Sequence, residues 1–173
     1  MKEGKVEQHT ITLRVDNEAG VLARVVGFFS GRGYNIESLA VAEMEGGEHI
    51  SLLTVVTRGT PRVVELIKAQ LSQLVPVRSI HDFTVSGNAV MREMALVKVV
   101  SEGVSRVEAL RLKDAFRAHI IDSTVGSFIF EIVGDSSKID AFIELMRPLG
   151  LKSVSRTGVV AACRGAEDFW DNK

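Results

Sequence analysis

The first half of the chain carries two kinds of hydrophobic spacing in a regular order. Apolar and polar positions alternate over residues 8–15, which predicts a β-strand, and apolar positions recur at helical spacing over residues 20–30. Glycines, Pro61 and a Glu-Gly-Gly-Glu hairpin signal at 45–48 bound the other segments. The predicted elements are strand 8–15, helix 20–30, strand 35–44, strand 49–57, a helix beginning at Thr60-Pro61, and strand 77–85.

The second half repeats this order after the break at Ser86-Gly87-Asn88. Its predicted elements are strand 93–100, helix 105–118, a hairpin of strands 120–125 and 128–133, helix 136–149 and strand 151–161. Two successive βαββαβ units are the better evidence for an internal repeat, since the residue similarity between them is weak. We therefore predict one domain at 8–86, a linker at 87–92 and a second domain at 93–165.

A βαββαβ unit of this size is the ferredoxin-like arrangement, so the predicted fold class is α+β with two ferredoxin-like domains. Each domain packs two helices on one face of a four-stranded antiparallel sheet. The second strand of the first domain lies at a sheet edge, and Leu39 and Val41 make that edge apolar. Because an exposed apolar edge favours pairing with another chain, we expect the protein to self-associate, as a homodimer.

Composition narrows the function classes. The 173 residues are 46% apolar with a formal net charge of -1, which disfavours a nucleic-acid partner. The sequence has no apolar run long enough for a membrane span and no signal-peptide core at its beginning, so we expect no membrane contact. The single cysteine, Cys163, fits a reducing compartment, and we expect a cytoplasmic protein.

Gly20 stands where the first helix begins, directly after Asn17-Glu18-Ala19. A helix start presents unpaired N–H groups and the positive end of the helix dipole, and a glycine there lets a ligand approach the backbone. The loop lacks the lysine and hydroxyl residue of a phosphate-binding P-loop, and the Gly31–Gly33 pair follows the helix instead of preceding it. A small carboxylate ligand, such as an amino acid, fits this loop best, whereas the structural alternative is that Gly20 only relaxes a turn.

Other functions remain as alternatives with less support. Cys163 has no base near it in the sequence, and the four histidines lack metal-ligand spacing, so a small enzyme on this fold has no catalytic cluster. An RNA-binding domain of the same topology stacks bases on aromatic residues of its first and third strands, which are not aromatic here. A transcription regulator that senses amino acids would need a helix-turn-helix, for which the chain has no room.

Several segments resemble one family. Residues 17–39, "NEAGVLARVVGFFSGRGYNIESL", are similar to the first half of an ACT domain, and most similar to that of the small regulatory subunit of acetolactate synthase. "VMREMALVKV" at 90–99, "FRAHIID" at 116–122 and "RTGVVAACRG" at 156–165 resemble the second domain of that subunit in the same order. The resemblance implies an ACT domain at 8–86 and an ACT-like domain at 93–165.

The resemblance also implies a function without catalysis. Members of the family bind a large catalytic subunit, raise its activity, and transmit feedback inhibition by a branched-chain amino acid, usually valine. It implies no cofactor in this chain; thiamine diphosphate, Mg and FAD are expected in the catalytic partner. ACT domains pair side by side, with the effector between the helix-start loop of one and the second strand of the other. The effector-binding residues that this implies are Asn17, Gly20, Val21, Leu22, Asn35 and Ile36. The alternative is a free-standing ACT protein that senses an amino acid and regulates another enzyme.

Overall fold

The computed structural model describes residues 5–44 and 49–166, so the predicted hairpin at 45–48 lies outside the described residues. The chain folds into two compact units. The first contains the chain up to Val90 together with the segment that starts at Val159, and the second is Met91–Gly158. No helix among the described residues is long and apolar enough to cross a membrane.

The first unit has the predicted βαββαβ order, followed by one added helical turn. Its elements are β1 (Glu7–Asp16), α1 (Val21–Gly31), β2 (Ser38–Glu43), β3 (Ile50–Gly59), α2 (Pro61–Leu71), β4 (Val77–Asp82) and α3 (Phe83–Ser86). The strands form an antiparallel sheet in the order β2-β3-β1-β4, so β2 is an edge strand as predicted.

The core of the first unit follows from the two spacings seen in the sequence. Alternate residues of β1 and β3 face the helices, and α1 and α2 cover them with apolar residues at helical spacing. The buried core residues are Ile11, Leu13, Val15, Val21, Val25, Phe28, Phe29, Leu53, Val55, Val64, Ile67 and Leu71. Thr60 caps α2 through its hydroxyl, which accepts a hydrogen bond from Val63 N.

The second unit repeats this arrangement. Its elements are β5 (Ala89–Val100), α4 (Gly103–Phe116), β6 (His119–Ser123), β7 (Ser127–Gly134), α5 (Ser136–Met146), a 3-10 turn (Arg147–Leu149) and β8 (Leu151–Arg156). The sheet order is β6-β7-β5-β8. A last short strand, β9 (Val160–Cys163), follows this unit in the chain and belongs to the first unit. Two ferredoxin-like sheets with helices on one face confirm the predicted fold class.

A buried carboxylate helps to hold the second unit together. The side chain of Glu93 on β5 is almost fully buried, and its Oε1 accepts a hydrogen bond of 2.6 Å from Arg156 Nε. Arg156 also donates to Asp140 on α5 at 2.5 Å, so one guanidinium joins two strands and a helix. Removing Arg156 would leave the buried Glu93 carboxylate without a counter-charge, whereas Arg156 would keep Asp140 if Glu93 were removed.

Several predicted boundaries were wrong, each for a local reason. The fourth strand was predicted to reach residue 85, but it ends at Asp82 because Asp82 Oδ1 accepts a hydrogen bond from Thr84 N and caps α3. The predicted helix 136–149 ends at Met146 and continues as the 3-10 turn that contains Pro148. The predicted strand 151–161 is two strands, separated at Gly158, whose φ is +84°.

The domain boundaries of the sequence differ from the compact units in two places. Strand β5 begins at Ala89, inside the predicted linker 87–92. The segment from Val159 belongs to the first unit, where Val159 is buried and its N–H donates to Ser38 Oγ at 3.4 Å.

Candidate functional site

The loop before α1 places Gly20, the glycine singled out in the sequence, at the N-terminus of the helix. We call the segment from Gly20 to Ala23 the mouth of α1. Gly20 is the N-cap residue of α1 and has a left-handed backbone with φ of +86°, which glycine adopts without strain. Asn17 N donates to His49 O at 2.6 Å, so the loop is held against the residue that directly precedes β3. A Cβ at Gly20 would meet nothing within 4 Å, which means that the mouth is open.

The first turn of α1 offers backbone donors that the described part of the chain does not use. Val21 N donates to Glu18 O at 3.2 Å and Arg24 N to Gly20 O at 3.0 Å. Between them, the N–H groups of Leu22 and Ala23 have no hydrogen-bond partner among the described residues, and no side chain caps the helix. Two adjacent free donors at a helix N-terminus are suited to the two oxygens of a carboxylate.

The charges around the mouth leave room for an anion. The first turn of α1 contains no acidic residue. The carboxylate of Glu18, two residues before Gly20, pairs with Arg24, whose Nη1 lies 2.6 Å from Glu18 Oε1. The negative charge of the loop is therefore paired, and the positive end of the helix dipole faces solvent.

The six predicted residues fall into two groups in the chain. Asn17, Gly20, Val21 and Leu22 lie at the mouth of α1, beside the start of β3. Asn35 and Ile36 precede β2 and lie beside the other end of β3, where Thr57 Oγ1 donates to Asn35 O at 2.6 Å. From Ile50 to Val56 the strand advances about 20 Å, so one protomer does not bring the two groups together.

Within the first group, the side chains have different environments. Val21 is buried in the core, whereas Leu22 is 40% exposed at the rim of the mouth. Asn17 is exposed, and its side-chain amide does not cap α1. The sequence reasoning missed Ala23, whose N–H is one of the two free donors; counting three residues into the helix from Gly20 would have identified it.

The other residues considered in the sequence as catalytic or metal-binding candidates lie apart from one another. His9 Nδ1 lies 2.9 Å from Asp82 Oδ2, and both side chains are buried between strand β1 and the end of β4. Cys163 is partly exposed on β9. The residues that the structure describes contain no group of three His, Cys, Asp or Glu side chains placed to hold a metal ion.

A groove of about 540 Å³ lies in the second unit, between α5 and β8. Its lining includes the apolar residues Ile143, Leu151 and Val154 and the ion pair between Asp140 and Arg156. None of the six predicted residues lines it. In this groove Asp140 pairs with Arg156 and Glu144 with Arg147, whereas Lys152 forms no ion pair within the described residues.

Family models match both halves of the chain. Residues 11–79 match the "AHAS small subunit-like ACT domain", and residues 92–165 match the "Small subunit of acetolactate synthase". The acetolactate synthase small subunit of Aquifex aeolicus is 39% identical over 165 residues, 95% of this chain and 85% of the relative. The acetolactate synthase isozyme 3 small subunit of Escherichia coli is 40% identical over 156 residues, 90% of this chain and 94% of the relative.

A solved structure agrees with the sequence relatives. The crystal structure of the acetolactate synthase small subunit from Thermotoga maritima superposes with a TM-score of 0.83 at 34% identity, and it covers 93% of this chain and 99% of the other. The names of these relatives confirm the prediction of a non-catalytic subunit of an enzyme complex. The chain belongs to the family of acetolactate synthase small subunits.

Proposed function

We propose that this chain activates the thiamine-diphosphate-dependent catalytic subunit of acetolactate synthase and makes it sensitive to feedback inhibition by a branched-chain amino acid, valine. The observation that carries the effector proposal is the uncapped first turn of α1. Leu22 N and Ala23 N have no hydrogen-bond partner among the described residues, Gly20 leaves the approach open, and that turn contains no acidic residue. A carboxylate of an amino acid gains two charge-assisted hydrogen bonds there.

The effector site is complete only when two protomers meet. One edge of strand β2 pairs with no strand among the described residues, and β2 pairs with β3 without a register shift, so its backbone is regular enough to continue into a second sheet. Antiparallel pairing of two β2 strands about a two-fold axis sets Ser38 of one protomer near Glu43 of its partner. This arrangement carries Asn35 and Ile36 of one protomer towards the α1 mouth of the other.

The residues at the two halves suit a small apolar amino acid. Leu22, half exposed beside the mouth, and Ile36, partly buried before β2, can cover a branched side chain. Asn17 and Asn35 are exposed, and an amide oxygen can accept a hydrogen bond from an α-ammonium group. These apolar and amide contacts favour an effector with a small aliphatic side chain, such as valine, over one with a charged or aromatic side chain.

Reconstitution with the catalytic subunit tests the proposal. Acetolactate formation should rise when this chain is added to the catalytic subunit, and the rise should be reversed by valine. Lack of stimulation at saturating chain would overturn the activating role, and stimulation without a response to valine would overturn the effector role. The cofactors thiamine diphosphate, Mg and FAD belong to the partner in this proposal, and the assay supplies them.

The alternative is a free-standing ACT protein that binds an amino acid and regulates another enzyme. The mouth of α1 supports this alternative equally, because its N–H donors bear on which ligand is bound and not on which enzyme is regulated. Valine binding by the isolated chain, measured by calorimetry, combined with a catalytic subunit that does not respond to the chain, would support this alternative.

A further inference from the structure

The second unit repeats the helix mouth of the first with different side chains. Val15 pairs with Val77 just after a register shift in β1, and Val99 pairs with Leu151 just after the same shift in β5. Asn17 follows Val15 by two residues, and Ser101 follows Val99 by two residues, so Ser101 occupies the position in the second unit that Asn17 occupies in the first. Their backbone bonds agree, since Ser101 N donates to Gly126 O at 3.0 Å as Asn17 N donates to His49 O.

The start of α4 also resembles the start of α1. Gly103, with φ of +55°, opens α4, and no side chain caps the 14-residue helix. The neighbouring Glu102 is the N-cap residue, but its carboxylate makes no capping bond, and it forms no ion pair within the described residues. The N–H groups of Val104 and Ser105 therefore lie in an uncapped first turn that contains no acidic residue.

Two buried polar atoms at this mouth lack partners in the part of the chain that the structure describes. Ser101 is 6% exposed, and its Oγ has no hydrogen-bond partner. Arg106, in the second turn of α4, uses Nη2 to donate to Thr124 O at 2.8 Å, but its Nη1 is buried without an acceptor. Buried polar groups are nearly always satisfied, so two unsatisfied atoms at one helix mouth call for a physical reason.

The strand geometry aims both atoms at the same space. Val99 faces the helices from β5, and alternation puts Ser101 on that face as well. Phe128 pairs with Val99 across the ladder, so Ser101 and Phe128 are diagonal neighbours with Cα atoms about 7–8 Å apart. The Arg106 guanidinium lies over the Phe128 ring, 3.8 Å from its centroid, and helical side chains point towards the N-terminus.

Arg106 forms no ion pair within the described residues, and it stands beside a helix N-terminus, which carries partial positive charge. An anion bound between them would be stabilised by both charges. Arginine N–H groups, helix N–H groups and a serine hydroxyl are together a donor set for an oxyanion.

We propose that the mouth of α4 is a second ligand site, which binds a small oxyanion through Val104 N, Ser105 N, Ser101 Oγ and Arg106 Nη1. The oxyanion is the carboxylate of a small organic acid or a free phosphate. Because Ser101 Oγ and Arg106 Nη1 are shielded from solvent, entry requires the guanidinium to swing away from Thr124 O and the Phe128 ring, which hold it in the described structure. The site stands independently of the proposed valine site in the first unit.

Backbone amide NMR of the full chain tests the site directly. Sodium acetate and sodium phosphate are titrated separately at constant ionic strength and pH, with sodium chloride as the balancing salt. We expect saturable shifts of the Val104 and Ser105 amides with at least one of the two probes, and the probe that saturates at lower concentration identifies the ligand class. If neither amide moves with either probe, the site does not exist.

Two substitutions of opposite sign check which charges act. Arg106→Gln should raise the concentration of half-saturation at least about tenfold, because a charge-assisted bond is lost. Glu102→Gln should lower that concentration, since it removes a negative charge beside the anion. Arg111→Gln, an exposed position on the same helix, is the matched control and should change nothing. An equal response of the Arg106→Gln and Arg111→Gln variants would overturn the role of the guanidinium and with it the proposal.

Discussion

Replacing Gly20 by aspartate is the sharpest test of the effector site, because it should separate binding from folding. The new carboxylate would stand where we propose that the carboxylate of valine binds, and would compete for Leu22 N and Ala23 N. Each hydrogen bond to a charged group contributes about 1.5–3 kcal/mol, so loss of even one raises the Kd for valine at least about tenfold. Loss of both would remove measurable binding.

The cost to the fold is small by comparison. Gly20 has φ of +86°, a conformation that costs an ordinary L-residue about 1–2 kcal/mol, and aspartate tolerates it better than most. A Cβ at this position would meet nothing within 4 Å, and a negative charge at a helix N-terminus stabilises the folded state by about 0.3–1 kcal/mol. The net change in the free energy of unfolding should therefore be within about 1 kcal/mol.

Calorimetry on the isolated chain and valine titration of the reconstituted enzyme measure the effect. The variant should still stimulate the catalytic subunit but should no longer respond to valine. Gly87→Asp is the matched control, since Gly87 has φ of +64°, equally open surroundings, and a place after α3 instead of at a helix mouth. If Gly20→Asp binds valine as tightly as the unmodified chain, Gly20 serves only the turn and the proposed site is wrong.

Three further predictions concern assembly and stability. Val41→Lys should weaken self-association, because a charge on the β2 edge opposes strand pairing. The Val41 side chain is 48% exposed, so the core should not be affected. Sedimentation measures the association, and an unmodified chain that is monomeric at micromolar concentration would contradict this prediction. Asp135→Ala should cost about 1 kcal/mol at neutral pH, because Asp135 caps α5 by accepting a hydrogen bond from Lys138 N. The Ser137 hydroxyl first, and Lys138 N next, hold the pKa of Asp135 below its ordinary value of 3.8, so this stabilisation is present above that pH and is lost as the pH falls through the lower folded pKa; a stability difference unchanged down to pH 2 would refute the assignment. Phe142→Ala should destabilise the second unit by about 3–5 kcal/mol, since the fully buried ring packs on Phe116 and Phe130, and chemical denaturation followed by a probe in that unit measures it.

The element order was readable from the sequence because it rests on local spacing. Alternation over residues 8–15 and helical spacing over residues 20–30 each require a single buried face, and the structure has β1 and α1 there. Gly20 could be placed at the helix mouth for the same reason, since its position relative to the first apolar turn is a local property. The proposed role of that mouth in effector binding came from the family resemblance, because hydrophobic spacing carries no information about a ligand.

Boundaries that depend on a hydrogen bond between distant groups were not readable. The fourth predicted strand extended through apolar Val85, but the side chain of Asp82 caps a helical turn and is itself fixed by His9 on another strand. The segment from Val159 reads as the end of the second domain, yet in the structure it packs in the first unit, where Val159 bonds to Ser38, 121 residues earlier in the chain.

The candidate site divides in the same way. The sequence alone determined that the Asn17–Leu22 loop ends in a helix start, and that Asn35 and Ile36 precede a strand. Only the tertiary structure decided that these two groups lie at opposite ends of β3, because the register of β2 against β3 fixes their separation along the sheet. Only the tertiary structure decided, too, that Leu22 N and Ala23 N find no partner in the described part of the chain, because Glu18 pairs with Arg24 and does not cap the helix. Local spacing specifies which residues can form an element, whereas the pairing of strands and the direction of each side chain depend on contacts between residues far apart in the chain.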